Sequence, residues 1–341
     1  MPNVRRRAGV TTAGVRRSSR WAGSGRGGRR QHDQPHRSGV RPARPGPAPS
    51  GLVGERRQLV NLAYRLLGSL ADTEDVVQET YARWYALTPG QRDAIAAPDA
   101  WLARVAGRIC LDLLGSARAR RERYVGQWLP EPLPARAEWT SDPTGGDPVD
   151  QIALDESVGM AFLVVLESMT PAERVAFVLH DVFRYSFAEV AEVVGRTPAA
   201  CRQLASSGRR RVRGAPVPGV PTARQAGIVR EFRKAWQAAD IDALVGLLTP
   251  DATATGDGGG RVSAALHPIE GAGQVARFFA DRGGAASGVR LLECTVNGQP
   301  GLVAQVAGVV GAVLAFDVVG DRIRRIWTVL NPDKLRAWTA G

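Results

Sequence analysis

Arg202, Gln203, Ser206, Arg209 and Arg210 lie close together in the stretch Pro198–Arg213, PAACRQLASSGRRRVR. Guanidinium and amide groups hydrogen-bond base edges, and hydroxyls and guanidinium groups also bind phosphate, so this residue set suits nucleic acid. The flanking residues predict how it is presented. Thr197 caps a helix with Pro198 at its first position, where a missing N–H costs nothing. Upstream, Ser186-Phe187-Ala188-Glu189 has the form of a capping box, opening a helix with apolar Val190, Ala191, Val193 and Val194. Gly195 suits the left-handed residue that closes it. Met169–Arg213 therefore predicts a helix followed by a helix-turn-helix, with Leu204 and Val212 on the inner stripe of the last helix. Thr197, Ala199 and Ala200 would stand nearest the bases in a major groove. The same pattern also describes an ordinary helical hairpin with a solvated basic end.

Other chemistry is sparser. Asp251, Asp257, His267 and Glu270 could supply an acid/base pair to a pocket. Asp251 and His267-Pro268, however, fall where turns and strand ends are expected, and Asp257 heads a glycine-rich loop, so no catalytic set is expected. His180 has no Cys or His at ligand spacing and reads as structural. Cys110, Cys201 and Cys294 are far apart, without a Cys-x-x-Cys pair, and read as buried thiols of a reducing cytosol. No metal or cofactor is implied.

The 341 residues carry a net charge of +12, but twelve Arg and one Asp in residues 1–50 supply +11 of it. The remainder is nearly neutral, so a nucleic-acid interface must rest on local patches. Residues 1–50 hold Arg, Gly, Ser and Pro with few large apolar side chains and are expected to be disordered. Arg16-Arg17 is not followed by an apolar run, as an export signal would require. Leu302–Val319 is too interrupted and too β-branched for a membrane span and reads as strands.

From residue 51 to 123 the pattern is helical. Leu59, Leu62, Ala63, Leu66 and Leu67 share one face, and Gly68 ends that helix. Asp72-Thr73-Glu74-Asp75 opens a second, and Pro89-Gly90 introduces a polar loop. Pro98-Asp99-Ala100-Trp101 starts a third helix ending in Arg118, Arg120, Arg121 and Arg123. Its basic end with Trp84, Tyr85 and Trp101 suits single-stranded nucleic acid, although the rings would serve equally as core. Residues 124–157 form a linker stiffened by Pro130, Pro132 and Pro134 and acidic beyond Ala137. Residues 158–213 hold the helix-turn-helix and 214–221 a Pro/Gly hinge. In 222–341, two helices precede strand-like segments at Arg290–Val296, Leu302–Val306, Val309–Val318 and Arg322–Leu330, which predicts an α+β cone with a curled antiparallel sheet.

In that order, LAYRLLGSLADTEDVVQETYARWY, PDAWLARVAGRICLDLL and the helix-turn-helix resemble an extracytoplasmic-function sigma factor of bacterial RNA polymerase. The first two blocks resemble sigma region 2 and Met169–Arg213 resembles sigma region 4, both all-α. WLPEPL (Trp128–Leu133), DGGG (Asp257–Gly260), VNGQPG (Val296–Gly301) and NPDKL (Asn331–Leu335) resemble the subgroup with a fused C-terminal SnoaL-like domain. The resemblance covers roughly residues 52–338.

The resemblance implies a cytoplasmic, non-enzymatic protein that binds core RNA polymerase and directs promoter recognition and transcription initiation. Asp72, Glu74, Asp75, Gln78 and Glu79 would contact the clamp of the largest polymerase subunit. Trp101, Arg104, Arg108, Arg118 and Arg120 would read and melt the −10 element. Thr197, Ala199, Ala200, Arg202, Gln203, Ser206, Arg209 and Arg210 would read the −35 element. Trp128, Leu129 and Pro130 would meet Asp257, Gly258, Gly259, Gly260, Asn331, Pro332 and Asp333 in a built-in regulatory contact. The acidic linker could occupy a basic channel of polymerase, and the cone could hold a small ligand. The family pattern near AAVRQLASRARRRV makes Ser207-Gly208 a departure from Arg-Ala. It implies a lost phosphate contact, restored by Ser207→Arg with Gly208→Ala; Leu113 and Gly115 likewise stand at often basic positions. The competing reading is a helix-turn-helix repressor with a ligand-sensing domain, which would have no use for the DTEDVVQET block.

Overall fold

The N-terminal helices follow from the apolar stripes and from their caps. A computed structural model describes residues 51–121, 124–135, 158–213, 222–284 and 287–339. The readings made for residues 1–50, for the acidic stretch 136–157 and for the hinge 214–221 lie outside the described residues. Helix α1 (Gly51–Leu67) buries Leu59, Leu62, Ala63, Leu66 and Leu67 and ends at Gly68, whose φ is 65°. Helix α2 (Leu70–Ala86) begins earlier than its acidic run, because the Ser69 hydroxyl accepts the Asp72 N–H and so becomes the cap. The expected polar loop is instead the short helix α3 (Pro89–Asp93), since Thr88 and Gln91 complete a capping box around Pro89. Helix α4 (Pro98–Arg121) follows.

After the linker come α5 (Met160–Glu167) and α6 (Pro171–Phe177), which runs into a π-helical turn at Val178–Val182. Helices α7 (Phe187–Val194) and α8 (Pro198–Arg213) form the expected helix-turn-helix, joined at Gly195 with φ 70°. The inner face of α8 is broader than expected, with Leu204 and Val212 packed against the core as read. Its buried residues are Cys201, Ala205 and Gly208, while Leu204 and Val212 are only half-buried. Small residues are needed there because Phe177 lies against Gly208; a Cβ at Gly208 would sit 2.9 Å from that of Phe177.

The C-terminal part has α9 (Ala223–Gln237) and α10 (Ile241–Leu247), then β1 (Leu248–Asp257) and β2 (Ile269–Glu270). Helix α11 (Ala272–Ala280) precedes β3 (Val289–Val296), β4 (Gln299–Val306), β5 (Val309–Val319) and β6 (Arg322–Val329). The sheet order is β2-β1-β6-β5-β4-β3. It is mixed rather than antiparallel: β1 pairs parallel with β6, because α11 and the β3–β5 meander carry the chain around between them. Pro250 lies inside β1, so α10 ends at Leu247 without a proline stop.

Three cores result. One joins α1, α2 and α4 to α6–α8 and includes Tyr64, Leu102 and Leu179. A second lies between one sheet face and α9–α11, centred on Phe232 and Phe279. The third joins the opposite sheet face to the linker and α5, with Leu129, Met160, Trp327 and Trp338. Among the described residues, no helix is long and apolar enough to cross a membrane.

Candidate nucleic-acid interface and its internal latch

Thr197 caps α8 by accepting the Ala200 N–H at 3.2 Å. Thr197, Ala199, Arg202, Gln203 and Arg210 are exposed, and Ala200, Ser206 and Arg209 are half-buried. Two of the arginines have partners. Arg202 lies over the Phe187 ring, 5.2 Å from its centroid, and Arg209 pairs with Asp181 at 2.9 Å. Ser207 faces inward and donates to Glu173 at 2.7 Å. The proposed phosphate contact at 207 is therefore corrected: an Arg there would meet Glu173, which Arg211 already approaches at 3.6 Å. Gly208→Ala is corrected too, because the missing Cβ makes room for Phe177.

The second set is on α4, which packs on α7. Arg104 pairs with Glu192, and the Arg108 guanidinium donates to the Val193 carbonyl at 3.0 Å. Gly107 permits this approach, since a Cβ there would lie 3.0 Å from Val193 Cγ1. Trp101 stacks obliquely on Trp84 at 5.3 Å and is half-buried, so both rings contribute to the core margin. The side chains of Arg118 and Arg120 lie outside the described residues. On α2, Asp75, Gln78 and Glu79 are exposed and Asp72 and Glu74 half-buried, with Glu79 paired to Arg83 at 2.9 Å.

The linker is held mainly by its backbone. The fully buried Asp257 carboxylate accepts from the Tyr124 hydroxyl at 2.6 Å, the Leu129 N–H at 2.9 Å and Lys334 Nζ at 2.7 Å. Its own loop adds the Gly259 N–H at 3.1 Å. Lys334 is itself buried, donates to the Leu129 carbonyl at 2.5 Å, and lies 4.0 Å above the Trp128 ring. A buried charge pair persists only when its remaining hydrogen-bonding capacity is met, and here it is. Burial, reinforced by the Asp257 carboxylate, pushes the Tyr124 phenol upward, keeping it a donor. Asn331 donates to the Tyr124 hydroxyl at 2.9 Å. Gly259 and Gly260 have φ of 60° and 70°, and a Cβ on either would press on Tyr124 or Val125.

A second clamp surrounds Asn297, whose φ is 51°. Its side chain accepts the Leu133 N–H at 3.0 Å and donates to the Tyr64 hydroxyl at 3.0 Å and the Val158 carbonyl at 2.8 Å. Tyr64 donates onward to the Glu131 carbonyl at 2.7 Å, and Trp338 Nε1 to the Pro132 carbonyl at 2.8 Å. The Glu131 N–H reaches the Gly68 carbonyl at 2.9 Å. Burial raises the Glu131 carboxyl above its ordinary range despite the Leu70 N–H it accepts.

Trp128, Leu129, Asp257, Gly259 and Asn331 are thus brought together as expected. Gly258 packs on the Val262 carbonyl of its own loop, Pro130 beside Gly68, and Asp333 pairs with Arg261 at the exposed edge. Tyr124, Lys334, Asn297 and Tyr64 were missed. Lys334 and Asn297 stood within named motifs, but a lone Lys or Asn carries no sign of the partner it meets. His180 Nδ1 lies 2.8 Å from the Tyr185 carbonyl, and its ring stacks on Phe187 at 3.8 Å. No described His, Cys, Asp or Glu cluster could hold a metal ion. Neither Asp251, Asp257, His267 nor Glu270 lines the cavity of the C-terminal domain.

Two family models match the chain, Sigma-70 region 2 over residues 52–120 and Sigma-70, region 4 over residues 159–212. The chain is 40% identical over 294 residues to the ECF RNA polymerase sigma factor SigJ of Mycobacterium tuberculosis, covering 82% of this chain and 90% of that protein. It is 31% identical over 299 residues to a probable ECF RNA polymerase sigma factor, SigI, of the same organism, covering 86% and 98%. The crystal structure of M. tuberculosis SigJ superposes with a TM-score of 0.66 at 35% identity, over 84% of this chain and 98% of that one. A repressor would account for region 4 but not for region 2. The chain belongs to the extracytoplasmic-function family of RNA polymerase sigma factors: it is an alternative sigma factor that directs transcription initiation.

Proposed function

We propose that this structure is the closed, resting form of the sigma factor, and that its C-terminal domain keeps it closed by gripping residues 124–135. In the open form, Asp72, Glu74, Asp75, Gln78 and Glu79 contact the clamp of core RNA polymerase. Trp101, Arg104, Arg108, Arg118 and Arg120 then meet the −10 element, and Thr197, Ala199, Ala200, Arg202, Gln203, Ser206, Arg209 and Arg210 the −35 element. This work belongs in the cytoplasm, alongside polymerase, and involves no bond-making step by the chain itself.

The observation that supports the closed reading is the packing of α4 on α7. Promoter elements centred 25 base pairs apart are separated by about 85 Å along B-form DNA. Helices joined through Arg104–Glu192 and Arg108–Val193 cannot reach both. Opening must therefore precede promoter binding, and the linker joining the two regions is the segment the C-terminal domain holds.

The test is run-off transcription with core polymerase, comparing the full chain with Asp257→Asn and Asn297→Ala in the same chain. Weakening the grip should raise open-complex formation at limiting sigma. Unchanged or lower transcription from folded variants would sink the reading, as would tight duplex binding by the unmodified chain without core enzyme.

A further inference from the structure

The C-terminal domain encloses a cavity of about 650 Å³ beneath the sheet face that carries α9 and α11. Ligand sites of small molecules span roughly 300–1,000 Å³. Trp236, Phe278, Phe279, Ala304, Ala312 and Leu330 make its wall largely apolar and partly aromatic. Val262 and Val306 on its lining are 41% and 52% exposed, leaving apolar surface uncovered.

The cavity's charge is one-sided. Among the described residues, Arg282 is the only charged one lining it, and no carboxylate does. The guanidinium stacks on Phe278, 3.8 Å from the ring centroid, and donates to the Phe278 carbonyl at 3.0 Å. None of the ion pairs among the described residues involves Arg282. An aromatic wall with one fixed cation and hydroxyls from Ser263, Ser287, Thr255 and Thr328 suits a flat apolar body bearing a single anionic group.

The wall and the latch meet at the end of β1 and just past the end of β6. Successive residues of a strand face opposite sides of the sheet. In β1, Gly256 lines the cavity while Asp257 holds Leu129; just past β6, where the Leu330 and Asn331 N–H groups both bond the Asp257 carbonyl, Leu330 lines the cavity and Asn331 holds Tyr124. The intervening loop does the same. Val262–Ala265 line the cavity, Gly258 packs on the Val262 carbonyl, and the Leu266 carbonyl accepts from Gln127 at 3.4 Å.

We propose that the cavity is an effector site for a small planar aromatic carboxylate, and that its occupancy pushes residues 256–266 outward and loosens the hold on Leu129. This rests on the latch reading above.

The experiment uses the full chain and 1-naphthoate as probe, with 1-naphthamide as its uncharged counterpart. Calorimetry should give one saturable site for 1-naphthoate, about tenfold weaker with Arg282→Ala or with the amide, as expected for one charge-assisted hydrogen bond. Ala312→Trp, which fills the cavity, should abolish binding; Arg282 is exposed, so its variant folds whether or not the filled one does. Bound probe should speed hydrogen exchange of the Leu129 amide about threefold, a local opening rather than unfolding. Absence of saturable binding, binding indifferent to Arg282→Ala, or binding that leaves Leu129 exchange unchanged would each overturn the proposal. Asp257→Asn in the same exchange measurement tests the latch separately. Faster Leu129 exchange there, without a probe effect, discards only the effector site; no change there discards the latch itself.

Discussion

The Asp257 carboxylate accepts the main-chain N–H of Leu129 at 2.9 Å, across 128 residues of sequence. The C-terminal domain therefore holds the linker by a group present in almost any residue, while Trp128 and Tyr124 supply the aromatic walls around Lys334.

Asp257→Ala should be strongly destabilising, because it leaves the buried Lys334 ammonium without its counter-ion. Breaking a buried pair from one side costs about 3–5 kcal/mol. Trp128→Ala removes the ring beneath the same ammonium, so the double variant should lose less than the sum of the single losses. Urea denaturation of the four proteins measures this coupling; additive losses would show that the two side chains act independently.

Glu192→Lys places a cation against Arg104 at the α4–α7 contact. Glu192 is exposed and Arg104 half-buried at the solvent edge, so the stability change should stay within about 1 kcal/mol. Core-dependent promoter binding should nonetheless rise as the contact is repelled. Adding Arg104→Glu should restore closure and remove the basic group proposed to meet the −10 element. Fluorescence anisotropy of a labelled promoter with core enzyme distinguishes the two, and equal affinities would contradict the arrangement.

Gly208→Ala opposes two effects. Helix propensity favours Ala by about 1 kcal/mol, whereas the Cβ would press on Phe177. Overpacking a tight site typically costs about 1–3 kcal/mol, so a net loss of melting temperature is expected, relieved by Phe177→Leu. A stabilised Gly208→Ala would mean that α6 yields easily.

Glu131 supplies a pH signature. Burial raises its carboxyl above the ordinary 4.5, so the folded chain binds more protons there than the unfolded chain. This site's contribution to stability is therefore greatest below pH 4.5 and is lost as pH rises through the elevated folded value. Glu131→Gln should flatten that part of the stability–pH curve while keeping an acceptor for the Leu70 N–H. An unaltered slope would place the proton elsewhere.

The sequence alone determined what is local. The capping box at Ser186, the left-handed Gly195, and the strand limits near Val309 and Arg322 are written within a few residues, and the structure places them there. The ordered motifs also carried the family. What only the tertiary structure decided are pairings between distant segments: Tyr64 with Asn297, Lys334 with Asp257, Arg104 with Glu192 and Phe177 with Gly208. No periodicity encodes these, because each is fixed by where two independently folded elements come to rest. For the same reason β1 joins β6 in parallel. Strand patterning gives each strand its faces, but neighbour and direction are set by how α9–α11 pack over the sheet.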